Sequence, residues 1–155
     1  MNALSNSTLR LLLAGALAAF VAGCGSTTSG AAMGGSAGGG AGGSSLTLTG
    51  GEEVPPVTTS ATGTGRFTVG SDGSIEGKVT TTGINGTAAH IHMAPRGQNG
   101  GVIVPLAKSG DNEWSTASGA KLTDAQLAAY RAGGLYVNVH SAANPGGEIR
   151  AQLAP

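Results

Sequence analysis

One cysteine, three histidines, two phenylalanines, two tyrosines and one tryptophan are all that 155 residues carry of those reactive and aromatic types. A single cysteine excludes any disulfide within the chain, so the fold stands on its core and on whatever it binds. With so few aromatics, the core must be filled mainly by Leu, Ile and Val. Charge is equally sparse. Removing Arg10 with a cleaved leader takes the 8 Lys/Arg to 7, against 8 Asp/Glu. No basic block appears anywhere, and phosphate binding needs clustered Lys/Arg, which argues against nucleic acid as a partner. No Ser-His-Asp or Cys-His nucleophile arrangement can be assembled either.

Long apolar runs are also missing. The longest, LLLAGALAAFVAG at residues 11–23, falls short of the roughly 20 residues that a membrane-spanning helix needs. It follows a short polar start and ends in small residues, which is the pattern of an export signal over 1–23. The ending Val21-Ala22-Gly23-Cys24 resembles the lipobox of bacterial lipoproteins. That resemblance implies diacylglycerol on the Cys24 thiol, cleavage before Cys24 and acylation of the new amino terminus. Gly25 in place of Asp leans the expectation towards the outer membrane, facing the periplasm, or the cell surface.

Residues 24–43 form a tract in which nine of 20 residues are glycine and none is charged. Such a tract cannot bury enough apolar area to offset its ordering entropy. As a coil it spans about 25 Å, a suitable tether between membrane and folded domain. Met33 within it is a weak candidate for a soft copper ligand.

The folded part, 44–155, is about the length of one domain and is punctuated by Gly and Pro. Extended segments are expected at Ser45–Thr49, Thr62–Val69, Ser74–Thr82, Thr87–Met93, Val102–Leu106, Asn112–Ser118, Leu135–His140 and Gly147–Leu153. Pro55-Pro56 places Glu53–Val57 in a loop or edge segment, with Glu53 fixing it beside the sheet. Gly77 marks a bulge or a close approach. Thr123 caps a short helix over Asp124–Tyr130, with Gln126 completing a capping box and Leu127 and Tyr130 on one face. This is the pattern of an antiparallel all-β sandwich or barrel of seven or eight strands with one helix.

The chemistry concentrates in Thr87–Met93, TAAHIHM. On a strand, His90 and His92 share one face with Ile91 on the other, and their Cα atoms stand about 6–7 Å apart. His140 lies on the Tyr136-Asn138-His140 face of LYVNVH, opposite Leu135-Val137-Val139. Three neutral imidazoles suit copper or zinc, copper generally binding more tightly. With an open fourth position they also have the layout of a catalytic metal site. Asn138, Asn144 and the backbone of the 141–147 loop are candidates to orient the rings. Arg96 and Arg150 are candidates to draw in a small anion. Met93, beside His92, is expected in the core. Glu148 and Arg150 share a face of the last strand, positioned to pair or to hold the Asn144–Gly147 turn.

Three separated pieces, LTGGEEVPP (48–56), GTAAHIHMAPRGQNGGVIVPL (86–106) and AGGLYVNVHSAANPGGEIRAQL (132–153), resemble the CHRD domain, a module named after repeats in chordin. The resemblance spans 45–153 and departs at Ala151, where the family usually has glycine. It implies an antiparallel Greek-key β-sandwich. The HIH strand, a glycine-rich loop and a late strand histidine also resemble the copper-ligand layout of copper/zinc superoxide dismutases. Those enzymes use further histidines and an aspartate for zinc, and this chain has no fourth histidine.

Two functions compete on this reading. One is a membrane-tethered module that binds a copper-like ion through His90, His92 and His140. It would buffer or deliver the metal, or act as a copper-dependent oxidoreductase on a small oxygen species. The other is a metal-free envelope module that recognises a protein partner.

Overall fold

The computed structural model describes residues 43–155. The expected signal peptide, Cys24 as the expected site of acylation, and Met33 fall outside the described residues. Eight strands run in chain order: β1 (Ser44–Thr49), β2 (Thr62–Val69), β3 (Ile75–Thr82), β4 (Gly86–Met93), β5 (Gly101–Gly110), β6 (Glu113–Thr116), β7 (Leu135–Ser141) and β8 (Ile149–Leu153). One helix, α1 (Asp124–Arg131), lies between β6 and β7, and a 3-10 turn (Gly50–Glu52) follows β1. Thr123 and Gln126 make the expected capping box at the start of α1.

The strands form a closed antiparallel barrel in the order β1-β2-β3-β6-β5-β4-β7-β8. The β4-β5-β6 meander, followed by the long connection through α1 that returns β7 beside β4, is a Greek key. Of the sandwich and the barrel, the sheet takes the closed form, because β8 meets β1 at Thr49↔Arg150. That seam is narrow, one residue pair against the six that join β1 to β2. Strand β5 is longer than the expected Val102–Leu106, since it pairs with β6 as far as Gly110.

Period-two alternation explains the interior. Leu46 and Leu48, Phe67, Ile75 and Val79, Ala89 and Ile91, Val104 and Leu106, and Trp114 all point inwards and are buried. Leu127 and Tyr130 of α1 join the same cluster. Burying each large apolar side chain contributes about 1.5–3 kcal/mol, so aliphatic residues suffice where aromatics are few.

Strand β7 breaks the usual pattern for a barrel, because all seven of its residues are buried. Leu135, Val137 and Val139 face the core. Tyr136, Asn138 and His140 lie on the outer face and are covered from outside the barrel. Glu53 reaches Asn138, Gly100 reaches Tyr136, and Pro145 reaches His140. A polar layer is thereby enclosed between the sheet and three loops.

One expectation fails here, and another resolves to one of its two alternatives. Met93 is not in the core but 42% exposed, being the last residue of β4 and paired with Gly101, which has no side chain to cover it. Glu148 and Arg150 do not pair. Glu148 stands before β8 and accepts hydrogen bonds from Thr59 and Ser141, whose hydroxyl also takes the Asn144 N–H. Glu148 therefore holds the 141–147 turn, while Arg150 turns onto Tyr136.

Candidate metal centre

Strand β4 lies between β5 and β7, with His90 opposite Asn138 and His92 opposite Tyr136 on the β7 side. His140 stands opposite Ala88, whose small side chain leaves the imidazole room to lean towards His90. A bulge on the β5 side falls between Ile91 and His92. Bulges re-aim side chains, and here two consecutive residues, Ile91 and His92, are both buried.

The three imidazoles converge. One ligand atom from each of His90, His92 and His140 lies within 4.8 Å of the others. His90 Nδ1 and His140 Nε2 are 2.9 Å apart. Two nitrogens bound to one ion in tetrahedral geometry stand about 3.3 Å apart, so a small adjustment admits an ion between them.

Backbone carbonyls set the tautomers. His92 Nδ1 donates to Gly100 O at 3.0 Å, and His140 Nδ1 donates to Pro145 O at 3.0 Å. A carbonyl only accepts, so in both rings Nδ1 carries the hydrogen and Nε2 keeps its lone pair. His92 Nε2 is buried without a hydrogen-bond partner. A buried lone pair left unmatched is costly unless something occupies it, and a cation would. These orienting acceptors are the backbone of the two flanking loops, Gly100 and Pro145. Asn138 instead bonds Glu53, and the Asn144 N–H is taken by Ser141.

Electrostatics keep the rings neutral. Burial lowers all three imidazole pKa values below 6.5. The neighbouring His140 and His92 lower His90 further, and His140 and Arg150 do the same for His92. Neutral imidazole is the form that ligates a metal.

The two arginines sit differently. Arg96 is exposed and pairs with Glu52. Arg150 is 1% exposed, with its guanidinium carbon 3.4 Å from the centre of the Tyr136 ring and Nη1 donating to Asn99 Oδ1 at 3.3 Å. Tyr136 in turn stacks on His92, centroids 4.8 Å apart and planes 7° from parallel. Sequence periodicity placed Tyr136 merely facing away from the core. The signal available was the composition of that face: tyrosine, asparagine and histidine without Lys or Glu is unusual for a solvated strand surface.

Fold and cluster together define an eight-stranded antiparallel Greek-key barrel with three histidines gathered on its outer face. The family model of the CHRD domain matches residues 44–153, and the chain belongs to that family. Neither a curated protein nor a solved structure matches the chain.

Proposed function

We propose that this protein is a metal-binding module whose site is His90, His92 and His140, with copper as the preferred ion and zinc as the alternative. The observation that carries the reading is His92 Nε2, a buried lone pair with no partner, in a cluster where backbone carbonyls fix two of the three rings with the hydrogen on Nδ1. Copper is favoured because imidazole sites generally bind it more tightly than zinc. A bound copper would supply reversible one-electron exchange, serving either metal buffering and delivery or oxidoreductase chemistry on a small oxygen species. The residues of this chain bind the ion, hold two rings in the ligating tautomer and shield the site with the Gly100 and Pro145 loops.

The same proposal tethers the module to the cell envelope through lipid on Cys24, supported by the Val21-Ala22-Gly23-Cys24 ending and the Gly-rich tract after it. Several acyl chains anchor far more firmly than one. Cys24→Ser then moves the protein from the membrane fraction to the soluble one.

The deciding measurement is metal content and copper affinity of the purified protein beside His140→Ala. One equivalent of copper, lost in the variant, with a type-2 spectrum and nitrogen coupling, is the expected result. Absence of specific copper or zinc uptake would overturn the reading and turn attention to a protein partner in the envelope.

A further inference from the structure

We infer that Tyr136 is a positioning residue for His92, fixing both the plane and the tautomer of that ring; this rests on the metal reading of the cluster. Two separate contacts make the case. Across the β4–β7 ladder, the Tyr136 ring lies flat against the His92 imidazole, 4.8 Å between centroids and 7° between planes. At the far end of the same side chain, the hydroxyl accepts the Gly100 N–H at 3.1 Å. Gly100 is also the residue whose carbonyl takes the His92 Nδ1 hydrogen at 3.0 Å.

One side chain therefore sets the ring by its face and sets the acceptor by its tip. Gly100 is suited to this place because a Cβ there would collide with the backbone carbonyl of Met93. Tyr136 is itself held from β8, where Arg150 lies 3.4 Å from its centroid and is tied to the same loop through Asn99. The sheet order β4-β7-β8 fixes the sequence of the stack as His92, Tyr136, Arg150. Partners that orient a ligating histidine commonly change metal affinity 10–100-fold when removed.

The test uses the full-length protein and two variants. Tyr136→Phe keeps the ring and removes the hold on Gly100, while Tyr136→Leu removes both contacts. Only three histidines exist, so imidazole ¹⁵N resonances of the metal-free protein can be assigned one by one. The parent should show His92 with its hydrogen on Nδ1, and Tyr136→Leu should show a mixture of tautomers. Copper affinity, measured by chelator competition, should fall about tenfold in Tyr136→Phe and up to about 100-fold in Tyr136→Leu. A merely structural tyrosine would lower the unfolding midpoint of the metal-free variants and leave tautomer and affinity at parental values, which overturns the inference. If the parent itself takes up no copper, the metal reading fails, and the His92 tautomer in Tyr136→Phe alone decides the positioning role. Should Tyr136→Leu not fold, Tyr136→Phe carries both readouts.

Discussion

Both carboxylate oxygens of Glu53 accept from a single amide, Oε1 and Oε2 lying 2.8 and 3.1 Å from Asn138 Nδ2. That leaves a carboxylate enclosed outside the barrel, with Arg150 nearby but not paired to it. Burial pushes Glu53 up from 4.5 to about 7, against the opposing pull of Arg150 and Asn138. A raised pKa means that the folded chain holds this proton more tightly than the unfolded one. The resulting stability is complete below pH 4.5 and is lost as pH rises through about 7. Glu53→Gln has no such loss. Each pKa unit is about 1.4 kcal/mol, so even half of this shift gives about 2 kcal/mol. Denaturant unfolding at pH 4.5 and pH 8 should show the variant gaining on the parent by that amount at the higher pH. Parallel behaviour of the two proteins would mean that Glu53 titrates as an ordinary carboxylate.

Gly147 closes the same corner. Its φ is +135°, and a Cβ there would collide with the Asn138 amide and lie 2.7 Å from Glu53 Oε1. Both neighbours are buried, so neither can swing into solvent. Gly147→Ala combines backbone strain with a steric clash and should cost about 2–4 kcal/mol in urea unfolding. Because Pro145 O orients His140 from the same turn, copper affinity should fall as well. An unchanged midpoint would show that the Glu53–Asn138 contact is easily rearranged.

Far from the cluster, Thr123 offers a control. Its hydroxyl accepts the Gln126 N–H at 3.3 Å, and the Gln126 side chain accepts the Thr123 N–H at 2.9 Å. Thr123→Ala should lower stability by about 1 kcal/mol and leave copper affinity at the parental value. A loss of affinity here would tie α1 to the metal centre through β7.

Most of the strand pattern could be read before any coordinates, because alternation reports directly on which residues a two-faced sheet buries. Thr62–Val69 has its observed ends, and the capping box of α1 stands in the sequence as Thr123-x-x-Gln126. The convergence of His90, His92 and His140 was legible for the same reason, since strand period and a shared face suffice to propose it. What lay out of reach depends on loops distant along the chain. Glu53 and Asn99 are 85 and 39 residues from Asn138, yet they and Gly100 cover the outer face of β7. Periodicity registers Tyr136 and Arg150 as outward and therefore solvated; coverage makes them buried and joins them in a stack. Met93 fails for the converse reason. Alternation places it on the inner side, but the strand has already passed the end of the core.

The lowered histidines give the last prediction its sign. Burial, then the mutual proximity of the rings, keeps all three neutral below the ordinary 6.5. In the metal-free protein a depressed pKa contributes stability that is present above pH 6.5 and lost as pH falls through the folded values, since the unfolded chain then binds protons the folded one refuses. Metal binding follows the same titration, because a proton on any ligating nitrogen competes with the ion. Three ordinary imidazoles would cost about sixfold in affinity between pH 7.5 and 6.5. Here the loss over that interval should be smaller than that, with the steep decline displaced to more acidic solution. Chelator competition at pH 7.5, 6.5 and 5.5 reads this directly. A sixfold or larger loss in the first interval would show the rings to be solvated, and the covering of the outer face of β7 by the Glu53, Gly100 and Pro145 loops would then not persist in solution.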